Sequence, residues 1–226
     1  MIPLKGDTPS ARTPYVTLSL IGTCGAMFVW QISLDQSTER ALVDALGAIP
    51  AVLLTDARLP RELEWVPRYA TPLTSMFVHG SWMHLLGNLL YLWIYGDKVE
   101  DAMGHARYLL FYVACGIAAL TAQALADPHS AYPIIGASGA ISGVLGAYLL
   151  LFPRARVLTL VLLPFFVTTL RLPAMWLLLT WFAVQLVSEI AGGGAAVAFR
   201  AHIGGFLAGM LLSPLLKRRE VRLLAP

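Results

Sequence analysis

Ser138 lies in Gly136-Ala137-Ser138-Gly139, and His202 lies in Ala201-His202-Ile203-Gly204-Gly205. A serine hydroxyl is a weak nucleophile until a base takes its proton, and a neutral imidazole is suited to that task. Such a pair can attack a carbonyl and then return the proton to the leaving amine. His84 and Asn88 are four residues apart, hence on one helix face, and His79 precedes them. Their N–H groups could stabilise the resulting oxyanion. Each signal also has a plainer meaning. Small residues around a serine pack helices, and a lone His or Asn in an apolar helix bridges to a neighbour. A metal site from His79, His84 and His202 is a third possibility, but His79 and His84 are five residues apart and share a helix face poorly. No carboxylate within an apolar run supports an ion pathway.

These polar groups stand inside apolar segments. The chain of 226 residues is 58% hydrophobic and 13% charged, against roughly 45 to 50% and 25% in a soluble domain. That excludes an ordinary soluble monomer, a disordered chain and a nucleic-acid module, because a net charge of +3 comes from 16 basic and 13 acidic residues scattered between apolar runs. At about 20 apolar residues per crossing, the composition supplies six spans and leaves no second folded domain. Apolar runs place them at 15 to 34, 81 to 96, 106 to 126, 138 to 152, 172 to 190 and 200 to 216. The run from Tyr15 to Ile32 is too long for a signal-peptide core and is read as a retained first span. Cys24 and Cys115, both in apolar runs, are read as buried free thiols.

If the N-terminus is cytoplasmic, five of the 16 basic residues (Arg40, Arg58, Arg61, Arg68 and Arg200) fall outside and the other eleven inside. The positive-inside rule then puts both termini in the cytoplasm, with residues 1–14 and 218–226 as flanking segments and 15–217 as the membrane domain. The long first loop, Asp35 to Thr74, carries Ala41, Leu42, Ala45 and Leu46 at helical spacing and is expected to lie on the interface. Val157 to Leu170, interrupted by Pro164 and flanked by Arg154, Arg156 and Arg171, is expected to be an inner interfacial or re-entrant segment. His105 and His129 are read as solvated loop residues.

Positioning the chemistry requires the groups to meet. At about 1.5 Å per residue, His84, Ser138 and His202 come out at roughly 20 to 24 Å above the inner charges of their helices, in the outer half of a core about 30 Å thick. Gly139, Gly143 and Ala147 on the fourth span, and Ala201, Gly205 and Gly209 on the sixth, form small-residue stripes at spacing four. Such stripes let backbones touch in lipid and would bring Ser138 to His202.

At these residues the chain resembles the rhomboid family of intramembrane serine proteases. His79-x4-His84-x3-Asn88 is similar to its second-helix motif, Gly136-Ala137-Ser138-Gly139 to its GxSG, Ala201-His202-x2-Gly205 to its sixth-helix motif, and Glu100-x3-Gly104 to the turn after its second helix. The resemblance implies an all-α, six-helix membrane protein of the plain prokaryotic form, without a seventh span, cytoplasmic domain or presequence. Ser138 would be the nucleophile and His202 the base, with His84, Asn88 and the Ser138 N–H as oxyanion hole and His79, Gly136, Gly139 and Gly205 as supporting motif. The implied substrates are transmembrane proteins, cut at small residues near the outer face of a prokaryotic plasma membrane, with no metal, organic cofactor or nucleic acid.

Substrate would enter laterally near the fifth helix, where Trp176, Trp181 and Phe182 replace a small-residue stripe. Asp127 and Glu189, the carboxylates nearest the reactive level, are read as interfacial rather than as a third catalytic member. Two departures stand out. Pro67-Arg68, with Trp65 nearby, replaces the first loop's Trp-Arg pair, and Ser142 replaces the aromatic that supports the histidine ring in some members, which leaves His202 without that partner. The alternative function is a non-catalytic rhomboid-like factor that binds membrane proteins.

Overall fold

The computed structural model describes residues 1–6, 11–163, 166–192 and 197–224. It is mostly helical. The helices are α1 (Tyr15–Ile32), α2 (Gln36–Leu46), α3 (Pro50–Leu54), α4 (Thr71–Thr74), α5 (Trp82–Tyr91), α6 (Asp97–Met103), α7 (His105–Ala126), α8 (Ser138–Leu151), α9 (Ala174–Ile190) and α10 (Phe199–Leu216). A π-helical turn, Leu92–Gly96, joins α5 to α6, so the helix entered at Trp82 runs unbroken to Met103. By length and composition α1, α7 and α10 can each cross a membrane, and α8 and α9 are shorter apolar helices.

The second helix extends past the expected end at residue 96 because its polar residues find partners inside the protein. The Glu100 carboxylate is buried and accepts from the N–H groups of Val16 (2.9 Å) and Thr17 (2.8 Å) and from Thr17 Oγ1 (2.7 Å). It thereby caps α1, whose own N-cap residue Pro14 offers no side-chain bond. His105 lies beyond the turn at Gly104 and brings Nδ1 within 2.6 Å of Glu100 Oε1, so it is a partner of Glu100 and not merely solvated surface.

The all-α expectation needs a correction. Strands β1 (Ile2–Gly6), β2 (Arg156–Leu163) and β3 (Phe166–Pro173) form an antiparallel sheet in the order β1-β2-β3, with Ile2 opposite Leu160 and Arg156 opposite Pro173. The segment expected to be interfacial or re-entrant is thus a hairpin paired with the N-terminal residues; Pro164 lies outside the described residues. The physical reason is the β-branched alternation Val157, Thr159, Val161, with Val157 and Thr159 turned inward and fully buried. The ladder also satisfies backbone groups that an irregular segment would leave unpaired.

The first loop folds onto the protein. Asp35 caps α2 by accepting from the N–H groups of Ser37 and Thr38. The Ser37 hydroxyl first, then that of Thr38, holds its carboxyl well below the usual carboxylate range. Leu42 and Ala45 form the buried face of α2. Arg68 stacks over the Tyr69 ring at 4.8 Å, donates to Tyr69 Oη (2.7 Å) and reaches the Val52 carbonyl (3.4 Å), bracing the loop internally without a Trp-Arg pair.

Hydrogen bonds sort the connections into two groups. At one end of the bundle Ala11 N–H meets Asp101 (2.9 Å), Arg218 N–H meets the Ala102 carbonyl (2.8 Å) and Leu224 N–H meets that of Leu150 (2.9 Å). At the other, Ala48 exchanges bonds with Ile134 (3.0 and 2.8 Å) and Ala51 N–H meets the Ser130 carbonyl (3.0 Å), fixing the loop that leads into Gly136.

Helices α8 and α10 touch backbone to backbone. A Cβ at Gly205 would lie 2.1 Å from the Gly139 carbonyl oxygen, and one at Gly209 would lie 1.9 Å from that of Gly143. The other face of α10 carries Leu207, Leu211 and Leu215, all exposed, as a lipid-facing stripe requires. Gly209→Ala is therefore expected to lower the unfolding midpoint in detergent, losing about 1 to 3 kcal/mol by overpacking. Gly22→Ala on α1, where nothing lies within 4 Å of the added carbon, is expected to leave it unchanged or raised. Equal midpoints for the two variants would contradict this packing.

Candidate active site

Ser138 opens α8, and the residue two before it controls the approach. Gly136 has φ of +108°, a backbone conformation that favours glycine, and its N–H donates to the Ser75 carbonyl at 2.8 Å. A Cβ there would lie 2.5 Å from His84 Nε2, so a side chain is barred on both counts.

The close contact of α8 with α10 sets Ser138 Oγ 2.9 Å from His202 Nε2. On the far side of the ring, Nδ1 is 2.8 Å from Gln185 Oε1 on α9. The Trp181 ring, also on α9, lies 5.9 Å from that of His202 at an interplanar angle of 39°, and it stacks on Phe206 at 6.1 Å. An aromatic partner for the histidine therefore exists despite Ser142, but it comes from a different helix. Ser142 is buried and donates instead to the Ser138 carbonyl at 2.7 Å, binding the first turn of α8.

On α5, Ser81 caps the helix by accepting from His84 N–H at 3.1 Å. The Gly80 N–H reaches His84 Nδ1 at 3.5 Å, which requires that nitrogen to be the acceptor and leaves Nε2 carrying the proton. That Nε2 is the His84 atom closest to the space a Gly136 side chain would fill, two residues from Ser138. Asn88 lies one turn further along; it is buried, and its Nδ2 has no hydrogen-bond partner among the described residues. A buried amide donor left unpaired is destabilising unless something else occupies it, as a developing oxyanion would.

His79 is fully buried. Its Nδ1 lies 3.2 Å from the Phe77 carbonyl and its ring 5.1 Å from that of His84, while its backbone is tied to Gln31 of α1. It therefore supports the entry to α5. Among the described residues no group of three or more His, Cys, Asp or Glu side chains could hold a metal.

A cavity of about 1110 Å³ runs over these groups, lined by His84, Asn88, Ser138, Trp181 and His202, with Asp127, Glu189 and Arg200 also contributing to its walls. Glu189 is bonded to Arg200 Nε, and neither carboxylate is the partner of His202 Nδ1. A second void of about 30 Å³ adjoins Ser138, with Met76, Gly116, Ala119 and Ala140 in its wall.

Comparison with known proteins bears on the same stretch of chain. A model of the Rhomboid domain matches residues 67–219, which hold every residue of the site. The chain belongs to the rhomboid family. It is similar to Rhomboid protease GluP of Bacillus subtilis, 46% identical over 77 residues that make up 34% of this chain and 15% of that protein. Rhomboid protein 1, mitochondrial, of Saccharomyces cerevisiae is 31% identical over 148 residues, covering 61% of this chain and 39% of the relative. Rhomboid-like protein 11, chloroplastic, of Arabidopsis thaliana is 30% identical over 157 residues, covering 67% and 54%. The chain thus spans between 15% and 54% of the length of these relatives. As a rhomboid with several long apolar helices, it is a multi-pass membrane protein.

Gln185 did not stand out in the sequence. An isolated amide in an apolar helix is an ordinary packing residue, and its one distinguishing mark is that it is polar within an apolar run.

Proposed function

We propose that this rhomboid is an intramembrane serine endopeptidase that hydrolyses peptide bonds of transmembrane proteins. The observation that carries this reading is the 2.9 Å contact between Ser138 Oγ and His202 Nε2, at a cavity that His84 and Asn88 also line. Ser138 Oγ attacks the scissile carbonyl carbon as its proton passes to His202 Nε2. The carbonyl oxygen takes the negative charge and accepts hydrogen bonds from His84 Nε2–H, Asn88 Nδ2–H and the Ser138 N–H. The C–N bond then breaks, the leaving amine takes the proton from Nε2, and an acyl ester on Ser138 remains. Water, activated by the same imidazole, hydrolyses that ester. The 30 Å³ void beside Ser138 holds about one water-sized group, which supports cleavage after small side chains.

Six spans are assigned to this domain over residues 15–217: α1, the continuous helix from Trp82 to Met103, and α7, α8, α9 and α10. Segments 1–14 and 218–226 are assigned to the cytoplasm of a prokaryote. The support is the eleven basic residues on that side and the bonds that gather Ala11, Ala102 and Arg218 at one end of the bundle. The active-site end then faces outward, where charged residues in the cavity wall admit water. Substrate enters past α9, which buries only Ala174, Leu178 and Gln185, whereas α8 buries ten residues. Trp181 also braces His202, so Phe182 is the cleaner position at which to loosen that entry.

The test is reconstitution into liposomes with a single-span substrate labelled at both ends. Cleavage within the span near its outer end, abolished by Ser138→Ala, is expected; binding of the substrate without cleavage would favour a non-catalytic membrane-protein binding factor. In the same assay Asp127→Ala and Glu189→Ala are each expected to keep activity within about threefold, since an exposed ion pair such as Glu189 with Arg200 contributes about 0 to 1 kcal/mol. A loss from either as deep as that of His202→Ala would mean an acidic third member.

A further inference from the structure

The two ring nitrogens of His202 make contacts of opposite purpose, and the second is not accounted for by the dyad. Nε2 faces Ser138 Oγ at 2.9 Å, and Nδ1 faces Gln185 Oε1 at 2.8 Å. The other end of the amide decides which of its atoms faces the ring. Gln185 Nε2 donates to the Trp181 carbonyl, 3.4 Å away and one turn back in α9, and a carbonyl can only accept. Oε1 is therefore the atom turned to His202, and an amide oxygen there can only accept from an Nδ1–H.

We propose that Gln185 is a positioning residue for the reaction, holding His202 in the Nδ1–H tautomer so that the Nε2 lone pair faces Ser138. This inference rests on the Ser138 and His202 reading above. When Nε2 takes the serine proton, the Nδ1 proton stays on the ring and its bond to Oε1 becomes charge-assisted. When the amine leaves, Nε2 gives its proton up and the ring returns to the same tautomer. Gln185 is thus never protonated or deprotonated.

The choice of an amide follows from where it sits. Gln185 is 7% exposed in a helix of apolar neighbours, and a carboxylate there would carry a standing buried charge. With an amide the site is neutral before the reaction. During it, the imidazolium is balanced by the oxyanion. Gln185 and Trp181 also lie one turn apart on α9, so a helix that buries few side chains contacts the base through both an oxygen and a ring.

The experiment compares Gln185→Leu with Gln185→Glu in the reconstituted full chain, reading kcat, KM and the unfolding midpoint. Leucine is similar in size but offers no acceptor. Glutamate keeps an oxygen toward Nδ1 in either charge state, and protonated it can also donate to the Trp181 carbonyl. We expect kcat of Gln185→Leu to fall about 10- to 100-fold with KM nearly unchanged. Gln185→Glu is expected to recover to within about fivefold of the parent. If Gln185→Leu lowers the midpoint, Gln185→Met replaces it. An unimpaired apolar variant, or equal impairment of the apolar and Glu variants, would overturn the positioning role. Ser138→Ala is measured alongside. Inactive Ser138→Ala with fully active Gln185→Leu overturns only this inference, whereas active Ser138→Ala overturns the dyad itself.

Discussion

Replacing His202 by alanine is expected to lower kcat for a transmembrane substrate by about 1000-fold or more, the largest loss of any single change besides that of Ser138. The imidazole is the group within bonding distance of Ser138 Oγ at 2.9 Å, and without it the serine proton has no acceptor. Because the two residues act as a unit, Ser138→Ala combined with His202→Ala should be no worse than either alone, whereas independent contributions would multiply. The fold should survive, since α8 and α10 are joined mainly through the glycine contacts at Gly205 and Gly209, below the ring. A near-normal unfolding midpoint beside the lost activity is therefore expected. An active His202→Ala protein would contradict the assignment of the base.

Loss of Asn88 should rank next. Asn88→Ala is expected to lower kcat about 100- to 1000-fold, and His84→Ala at least about tenfold, with KM and midpoint nearly unchanged. In the resting site Asn88 Nδ2 is buried and unpartnered among the described residues, so removing it breaks no bond of the folded state. The same donor gains its full strength only when charge develops on the substrate oxygen. Were Asn88 simply a tie between helices, its removal would lower stability by about 0.6 to 2 kcal/mol and spare turnover. A lowered midpoint with normal kcat would thus overturn the oxyanion role for either residue.

The residues that meet at the site were legible because polar groups in apolar runs are rare and costly, so Ser138, His202, His84 and Asn88 stood out as types before any geometry was known. Most helix boundaries were legible through the charges and prolines that end the apolar runs, but not the end of the second helix, which continues through Asp97, Lys98 and Glu100 to Met103. What escaped was of two kinds. The sheet was missed because Val157, Thr159 and Val161 are apolar enough to suit a membrane segment as well as a strand, and their alternation decides for a strand only once β1 supplies a partner. The partners of His202 and Glu100 were missed because they depend on which helix faces which. Gln185 and Trp181 reach His202 from α9, while Glu100 reaches back to the start of α1. Ser142 illustrates the limit: its lack of a ring was readable, but the ring that Trp181 supplies in its place was not.

The most direct measurement is covalent labelling of the purified chain by a fluorophosphonate, followed by mapping of the modified residue. A serine activated by His202 attacks phosphorus and displaces fluoride, leaving a stable phosphonyl ester on its oxygen, whereas an ordinary buried serine does not react. The account predicts one adduct, on Ser138, strongly reduced in His202→Ala and absent in Ser138→Ala. No adduct on a folded, reconstituted protein that binds its substrate, or an adduct on Ser138 that forms equally fast without His202, would contradict it.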